Sequence, residues 1–286
     1  MRYEAPTTVE DAVKLLSAEK GMAKVLAGGT DLLVAIRSGR MEPDLVVDLK
    51  RIEEMTVIEP EDGGFRIGAA VPSAEMGAHA DLVAMWPGVV EAAGLIGSTQ
   101  IQSRATMAGN LCNASPAADS VPALAAARAK ASIVGPNGRR DVPVEDVPAG
   151  PGKTSLEKGE FVASILLPKQ AARGGDAYLR FIPRTEMDIA VVGVGVNLTL
   201  DEGGTISDAR VVLGAVGPRA VIADDAAQAL IGSTGDEAAM QAFAEAVSAA
   251  CAPIDDKRGT REYRIQVAGV LAKRTAAAAI DRAKGR

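Results

Sequence analysis

Two cysteines, Cys112 and Cys251, and a single histidine, His79, are all that this 286-residue chain offers of those residue types. Two cysteines exclude a disulfide framework and any Cys-rich zinc or iron–sulfur site. One histidine cannot build a multi-His metal site. A Ser-His-Asp triad would have to use His79, and no G-x-S-x-G elbow presents a serine to it. His79 falls in the helix-like run SAEMGAHADLVAMW, where a lone histidine reads as surface or structural. Long apolar runs are missing as well. No stretch suffices to span a bilayer, and the opening MRYEAPTTVEDAVKLL is broken by acidic residues where a signal peptide needs an apolar core. Runs of Lys or Arg are absent too. A net charge of -6 and a pI near 5.1 argue against nucleic acid or an anionic membrane as partner. The cytoplasm is the expected location. With so few reactive side chains, demanding chemistry is expected to reside in a bound cofactor, and neither a catalytic residue nor a metal ligand is assigned.

What is present is an ordinary globular composition, 48% hydrophobic and 24% charged. Length alone suggests two domains, and the pattern along the chain separates three regions. From Thr8 to about Met55 it alternates: a Thr8-capped helix with Val9, Ala12, Val13, Leu15 and Leu16 on one face, a strand at 23–26, a Gly-Gly turn, a helix at 31–38 and a strand at 45–49. From Thr56 to about Pro168 strands are expected at 56–59 and 65–70, helices at 74–85 and 89–95, a long polar loop, a helix at 121–127, and strands at 131–134 and 160–167. Residues 170–175 read as a linker. Strands at 177–182, 189–200 and 205–215 follow, then Ala-rich helices. Strands followed by helices indicate an α+β fold.

The long polar segment, Gly97 to Asp119, is the most informative stretch. It is dense in Ser98, Thr99, Gln100, Ser103, Thr106, Asn110, Asn113 and Ser115, with Ile101, Met107, Leu111 and Cys112 interleaved. Such a loop without secondary structure of its own is functional or disordered, and the interleaved apolar residues speak for order. Uncharged hydroxyls and glycine suit a backbone that donates N–H groups to a polar ligand. Three other glycine sites compete for a phosphate. Ala27-Gly28-Gly29-Thr30-Asp31-Leu32 stands between an expected strand and helix, with Thr30 and Asp31 at N-cap positions; a phosphate site and a plain capped turn fit it equally. Gly150-Pro151-Gly152-Lys153-Thr154 lacks the first glycine of a Walker A loop, Val147 standing there, and no helix follows. Gly193-Val194-Gly195 lies inside a strand pattern, where glycines admit close packing or a bulge. Paired with Thr106-Met107-Ala108-Gly109-Asn110, the Ala27–Leu32 loop forms one half of a clasp for the two phosphates of a dinucleotide, leaving Asn113, Ser115 and Asp119 for its sugar hydroxyls.

A-G-G-T-D-L at 27–32 together with T-M-A-G-N-L-C-N-A-S-P-A-A-D-S at 106–120 resembles the FAD-binding medium subunit of the molybdenum hydroxylases. That family includes the flavoprotein components of xanthine dehydrogenase, aldehyde oxidase and aerobic carbon monoxide dehydrogenase. The likeness extends through Arg180 and Arg184-Thr185-Glu186-Met187-Asp188-Ile189-Ala190 and covers almost the whole chain. It implies an FAD-binding fold of the vanillyl-alcohol-oxidase (PCMH) type in two subdomains, 1–55 and 56–172. A C-terminal α+β domain with antiparallel sheet and helices, 176–286, completes the chain. Carried over by position, Lys24, Val25, Ala27, Gly28, Gly29, Thr30, Asp31 and Leu32 form the first pyrophosphate loop. Ile96, Thr106, Gly109, Asn110, Cys112 and Asp119 form the second side, Asp119 binding a sugar or ribityl hydroxyl. Val162 and Arg180 border the flavin, and Asp188 lies near its ring.

The resemblance further implies non-covalent FAD, because no His lies in either motif. It implies a small [2Fe–2S] subunit that delivers electrons, a large molybdopterin subunit that supplies them, and NAD, a quinone or oxygen as acceptor. Molybdopterin and [2Fe–2S] belong to those partners, in a heterotrimer or its dimer. Arg180 is placed to stabilise negative charge on reduced flavin, or else pairs with Asp176 or Glu186. Thr30 and Asp31 replace the H-S of the carbon monoxide dehydrogenase pattern A-G-G-H-S, which points away from that substrate. Cys112 and Cys251 cannot supply the iron–sulfur loop of the benzoyl-CoA reductase relative. A stand-alone flavin oxidoreductase of the same fold, or a subunit that has lost flavin, stays open beside this reading.

Overall fold

Leu45–Asp48 is buried at every position, and apolar up to its last residue, because it is the middle strand of a parallel sheet, between Arg2–Glu4 and Ala23–Leu26. The computed structural model in which this is seen describes residues 1–286. The helix Val9–Ala18 lies between the two outer strands of this sheet in the chain, and Thr8 caps it, its Oγ1 accepting the Asp11 N–H at 3.2 Å. Arg2–Glu4 is a strand too short for any periodicity to reveal.

The second sheet has five antiparallel strands in the order Ile58–Glu61, Gly64–Gly68, Phe161–Leu167, Lys130–Gly135, Gly138–Pro143. Its last strand, GRRDVP, is polar and largely exposed, so no apolar alternation announces it. The helix expected over 74–85 is two helices, Ser73–Ala78 and Ala80–Met85. His79 breaks it: its backbone is extended and its Nδ1 accepts the Leu82 N–H at 3.2 Å. The ring also packs edge-on against Phe65. The single histidine is a helix cap.

The third sheet, Gly174–Phe181, Val192–Leu200, Ile206–Gly214 and Val221–Ile222, is antiparallel. Its first strand starts at Gly174, inside the expected linker. Both faces of this sheet are covered, which is why Val192–Leu200 is buried almost throughout. On Gly174–Phe181 the alternation of side chains separates the two neighbours. Gly175 and Ala177 face the long helix Arg261–Lys284, and a Cβ at Gly175 would stand 2.1 Å from the Ala279 carbonyl oxygen. Asp176, Tyr178 and Arg180 face the opposite way, toward helices Pro87–Gly94 and Ser120–Ala126. Gly195 serves close packing as its strand context implies: a Cβ there would meet the Pro122 carbonyl oxygen at 2.6 Å. Two apolar cores result, separated by this sheet.

Candidate functional site

Strand Ala23–Leu26 delivers the chain to Ala27–Leu32, and the short helix Leu32–Arg37 carries it away. Gly29 turns the backbone with φ +80, a value L side chains rarely adopt. Lys50 anchors the loop from behind, its Nζ donating to the Ala27 carbonyl at 3.0 Å and to Asp48 Oδ1 at 2.7 Å. Asp31 stands at the N-cap, yet its carboxylate makes no capping hydrogen bond. None of the amides from Ala27 to Leu32 donates to an acceptor within the protein.

The segment facing it is not the unstructured loop expected from its composition. It holds two short helices, Thr99–Gln102 and Met107–Cys112. Thr106 caps the second, Oγ1 accepting the Gly109 N–H at 2.9 Å, and Met107 and Leu111 are buried beneath it. The small polar residues that hide the helical pattern are thus its cap and its exposed face. Ser73 holds the segment to the five-stranded half, its N–H on the Ala105 carbonyl at 2.9 Å and its hydroxyl on the Gln102 carbonyl at 3.2 Å. The two loops approach backbone to backbone: a Cβ at Gly28 would stand 1.8 Å from the Arg104 carbonyl oxygen.

Between them lies a cavity of about 550 Å³, a size typical of cofactor sites. Its wall includes Lys24, Val25, Ala27, Gly28, Gly29, Thr30, Asp31 and Leu32 from the first loop. From the second side it includes Ile96, Thr106, Gly109, Asn110 and Cys112, and Asn113 beside them, with Val162 from strand Phe161–Leu167. Burial pushes the Cys112 thiol up to about 12, which keeps it neutral on the wall. Burial also raises the Asp31 carboxyl above its ordinary value, which Arg40 opposes. Of the other acidic wall residues, Glu19 and Glu160 are paired with Arg2 at 2.6 Å and Arg140 at 2.9 Å.

Asp119, Arg180 and Asp188 are absent from this wall. Asp119 and Arg180 pair with each other, Arg180 Nη1 to Asp119 Oδ2 at 2.7 Å, and Tyr178 donates its hydroxyl to Asp119 Oδ1 at 3.2 Å. Neither Asp176 nor Glu186 is the partner of Arg180. Burial pushes the Asp119 carboxyl up to about 6, against the pull of Arg180. This cluster joins the start of helix Ser120–Ala126 to the third sheet. Asp188 lies in the connection between strands Gly174–Phe181 and Val192–Leu200. Arg184 at 3.2 Å hydrogen-bonds it and, with Arg258 at 3.3 Å, holds its carboxyl below the ordinary range. Ser115 is turned inward along its own chain, Oγ accepting the Ala117 N–H at 3.3 Å.

Part of the wall carries no motif at all. Leu156, Glu157, Lys158, Gly159 and Glu160 form one rim, and Leu16, Glu19, Lys20 and Gly21 another. The second could have been inferred from its position just before the strand that feeds the first loop. The first has no local signal, because it is brought to the cavity by the pairing of Phe161–Leu167 in the five-stranded sheet. Thr154, last residue of the rejected Walker-like run, also reaches the wall.

A loop of free amides facing a capped helix start across a cavity of this size fits a dinucleotide, and comparison with known proteins identifies which. Residues 1–170 match the FAD binding domain in molybdopterin dehydrogenase, and residues 177–279 match the CO dehydrogenase flavoprotein C-terminal domain. The chain is 34% identical over 277 residues to the carbon monoxide dehydrogenase medium chain of Hydrogenophaga pseudoflava, covering 97% of this chain and 96% of that one. It is 31% identical over 286 residues to the xanthine dehydrogenase FAD-binding subunit of Escherichia coli O157:H7, covering 99% and 97%. A solved carbon monoxide dehydrogenase from Hydrogenophaga pseudoflava superimposes with a TM-score of 0.93 at 35% identity, covering 99% of this chain and 98% of that one. Quinoline 2-oxidoreductase from Pseudomonas putida 86 gives a TM-score of 0.91 at 26% identity, with the same coverage. The Thr30–Asp31 pair therefore sits in a chain whose overall likeness to a carbon monoxide dehydrogenase medium chain is as close as its likeness to a xanthine dehydrogenase subunit. With an FAD-binding domain over more than half its length, the chain belongs to the FAD-binding medium-subunit family of the molybdenum hydroxylases.

Proposed function

We propose that this chain is the electron-transfer flavoprotein of a molybdenum hydroxylase complex, holding FAD between the Ala27–Leu32 loop and the Thr106–Asn110 helix start. The observation that carries it is the unbroken run of unpartnered amides from Ala27 to Leu32 on a cavity of about 550 Å³. Unpaired N–H groups at a protein wall are costly unless a ligand or solvent accepts from them, and a pyrophosphate is all acceptor. Residues 1–55 and 56–172 are the two halves that grip the cofactor, and 176–286 is the third unit.

Bound FAD supplies the two-electron capacity that links a one-electron iron–sulfur donor to its acceptor. This chain's own residues bind and orient it. Gly28 and Gly29 bring the first loop's amides close. Thr106 fixes the second helix start by capping it. Val25, Ile96, Cys112 and Val162 line the cavity with apolar surface against which a flat ring system packs. Asp31, an acceptor only, suits sugar hydroxyls better than phosphate. Asp119 and Arg180 act by joining this site to the third sheet. Electrons come from a small [2Fe–2S] subunit, fed by a large molybdopterin subunit, and leave to NAD, a quinone or oxygen. A heterotrimer or its dimer in the cytoplasm is the assembly.

The test is reconstitution. Full-length protein incubated with FAD and desalted is expected to keep the yellow flavin absorbance and to lose it on denaturation, as non-covalent binding requires. Colourless protein after desalting overturns the reading.

A further inference from the structure

Ser120, the last residue of the second motif, does not line the cavity. It is fully buried at the start of helix Ser120–Ala126. Both its donors go to one atom: its backbone N–H reaches Asn110 Oδ1 at 3.1 Å and its hydroxyl reaches the same oxygen at 2.8 Å. A backbone N–H can donate only to the oxygen of an amide, never to its nitrogen. The Asn110 amide is therefore locked in one of its two orientations. Its oxygen is consumed, and its Nδ2, with two N–H donors, finds no partner in the protein. Asn110 is a wall residue of the cavity.

We infer that Ser120 is a positioning residue that turns the Asn110 amide so that it presents donors, not an acceptor, to the dinucleotide. This rests on the FAD reading above and adds to it a reason for asparagine at position 110. Phosphate oxygens accept and do not donate, so an amide free to flip would offer them its oxygen part of the time. Locking it removes that repulsive state before the ligand arrives. Aspartate at the same position could still accept both bonds from Ser120, but it would turn a second, anionic oxygen toward the phosphates.

The test is a double-mutant cycle on the full-length chain, read by titrating apoprotein with FAD and following flavin fluorescence. Ser120→Ala keeps the backbone N–H on Asn110 Oδ1 and removes only the hydroxyl's bond to it, so it is expected to weaken FAD binding about three- to tenfold, the size of that one hydrogen bond; wild-type affinity in this variant overturns the inference. Asn110→Asp is expected to weaken FAD binding more, with an unchanged unfolding midpoint. In an Asn110→Ala background, Ser120→Ala is expected to add nothing to the loss. A merely structural Ser120 would cost the same factor in both backgrounds, and that outcome overturns the inference. So does Asn110→Asp with wild-type affinity, which decides the matter if Ser120→Ala fails to fold. Wild-type protein that takes up no FAD would instead remove the reading on which this one stands.

Discussion

Gly28→Ala adds a single carbon at the place where the two binding loops meet. Its Cβ would stand 1.8 Å from the Arg104 carbonyl oxygen, 2.7 Å from the Arg104 carbonyl carbon and 3.2 Å from Ala105 Cα. All three are backbone atoms, so no side chain can rotate away. The first distance falls about 1.2 Å short of the 3.0 Å that real Cβ atoms keep. The backbone of Gly28 is not left-handed, so alanine suffers no conformational strain there and the cost is steric alone. The loops must separate by an ångström or more. Overpacking of this kind costs about 1–3 kcal/mol of stability. The larger effect falls on the ligand. Two charge-assisted hydrogen bonds stretched out of reach cost roughly 3–6 kcal/mol, a hundredfold or greater loss of FAD affinity. FAD titration and thermal unfolding measure both quantities. Gly39→Ala is the control, with a strained φ of +70 but open space around the position and no place on the cavity wall. It is expected to cost about 1 kcal/mol of stability and leave FAD binding intact. If Gly28→Ala holds FAD like wild type, the loops do not close on the cofactor as described.

Gly109→Glu places a carboxylate on the cavity wall beside Thr106 Oγ1, 2.9 Å from the added Cβ. It is expected to abolish flavin retention with an intact circular dichroism spectrum; retained flavin would take Thr106–Asn110 out of the site. Arg180→Met leaves Asp119 buried without its cation and is expected to cost about 3–5 kcal/mol in urea unfolding. A loss under about 0.5 kcal/mol would refute the ion pair's role in joining the third sheet. Asp176 is buried and its carboxyl is pushed up to about 6, so in the unfolded chain it ionises first, near 3.8. Its contribution to stability is full below about pH 4 and is lost as the pH rises through about 6, and Asp119 acts in the same direction. Asp176→Asn is expected to make that decline shallower in unfolding midpoints taken from pH 4 to 7; an unchanged slope counts against it.

The helix over Val9–Ala18, the strand at Ala23–Leu26 and the three long strands of the third sheet were legible because each carries its own apolar period. Gly138–Pro143 was not, because an exposed edge strand has no face to bury. Met107–Cys112 reads as loop because its buried residues, Met107, Ala108 and Leu111, are interrupted by glycine and asparagine within fewer than two helical turns. His79 reads as one more residue of a single helix, whereas its extended backbone ends one helix and its imidazole caps the start of the next.

By itself the sequence determined the two glycine-bearing loops, the scarcity of reactive side chains, and hence a protein that binds a dinucleotide and leaves the chemistry to it. These are local properties: a turn needs its glycine, and a helix start its threonine, wherever the fold puts them. Tertiary structure alone decided that Gly28 meets Arg104, that residues 156–160 complete the wall, and that Arg180 faces Asp119 and stands off the cavity. Each of these depends on strand pairing between residues far apart in the chain. The alternation along Gly174–Phe181 fixes that Arg180 shares a face with Tyr178, but only the sheet's place in the fold fixes what that face meets.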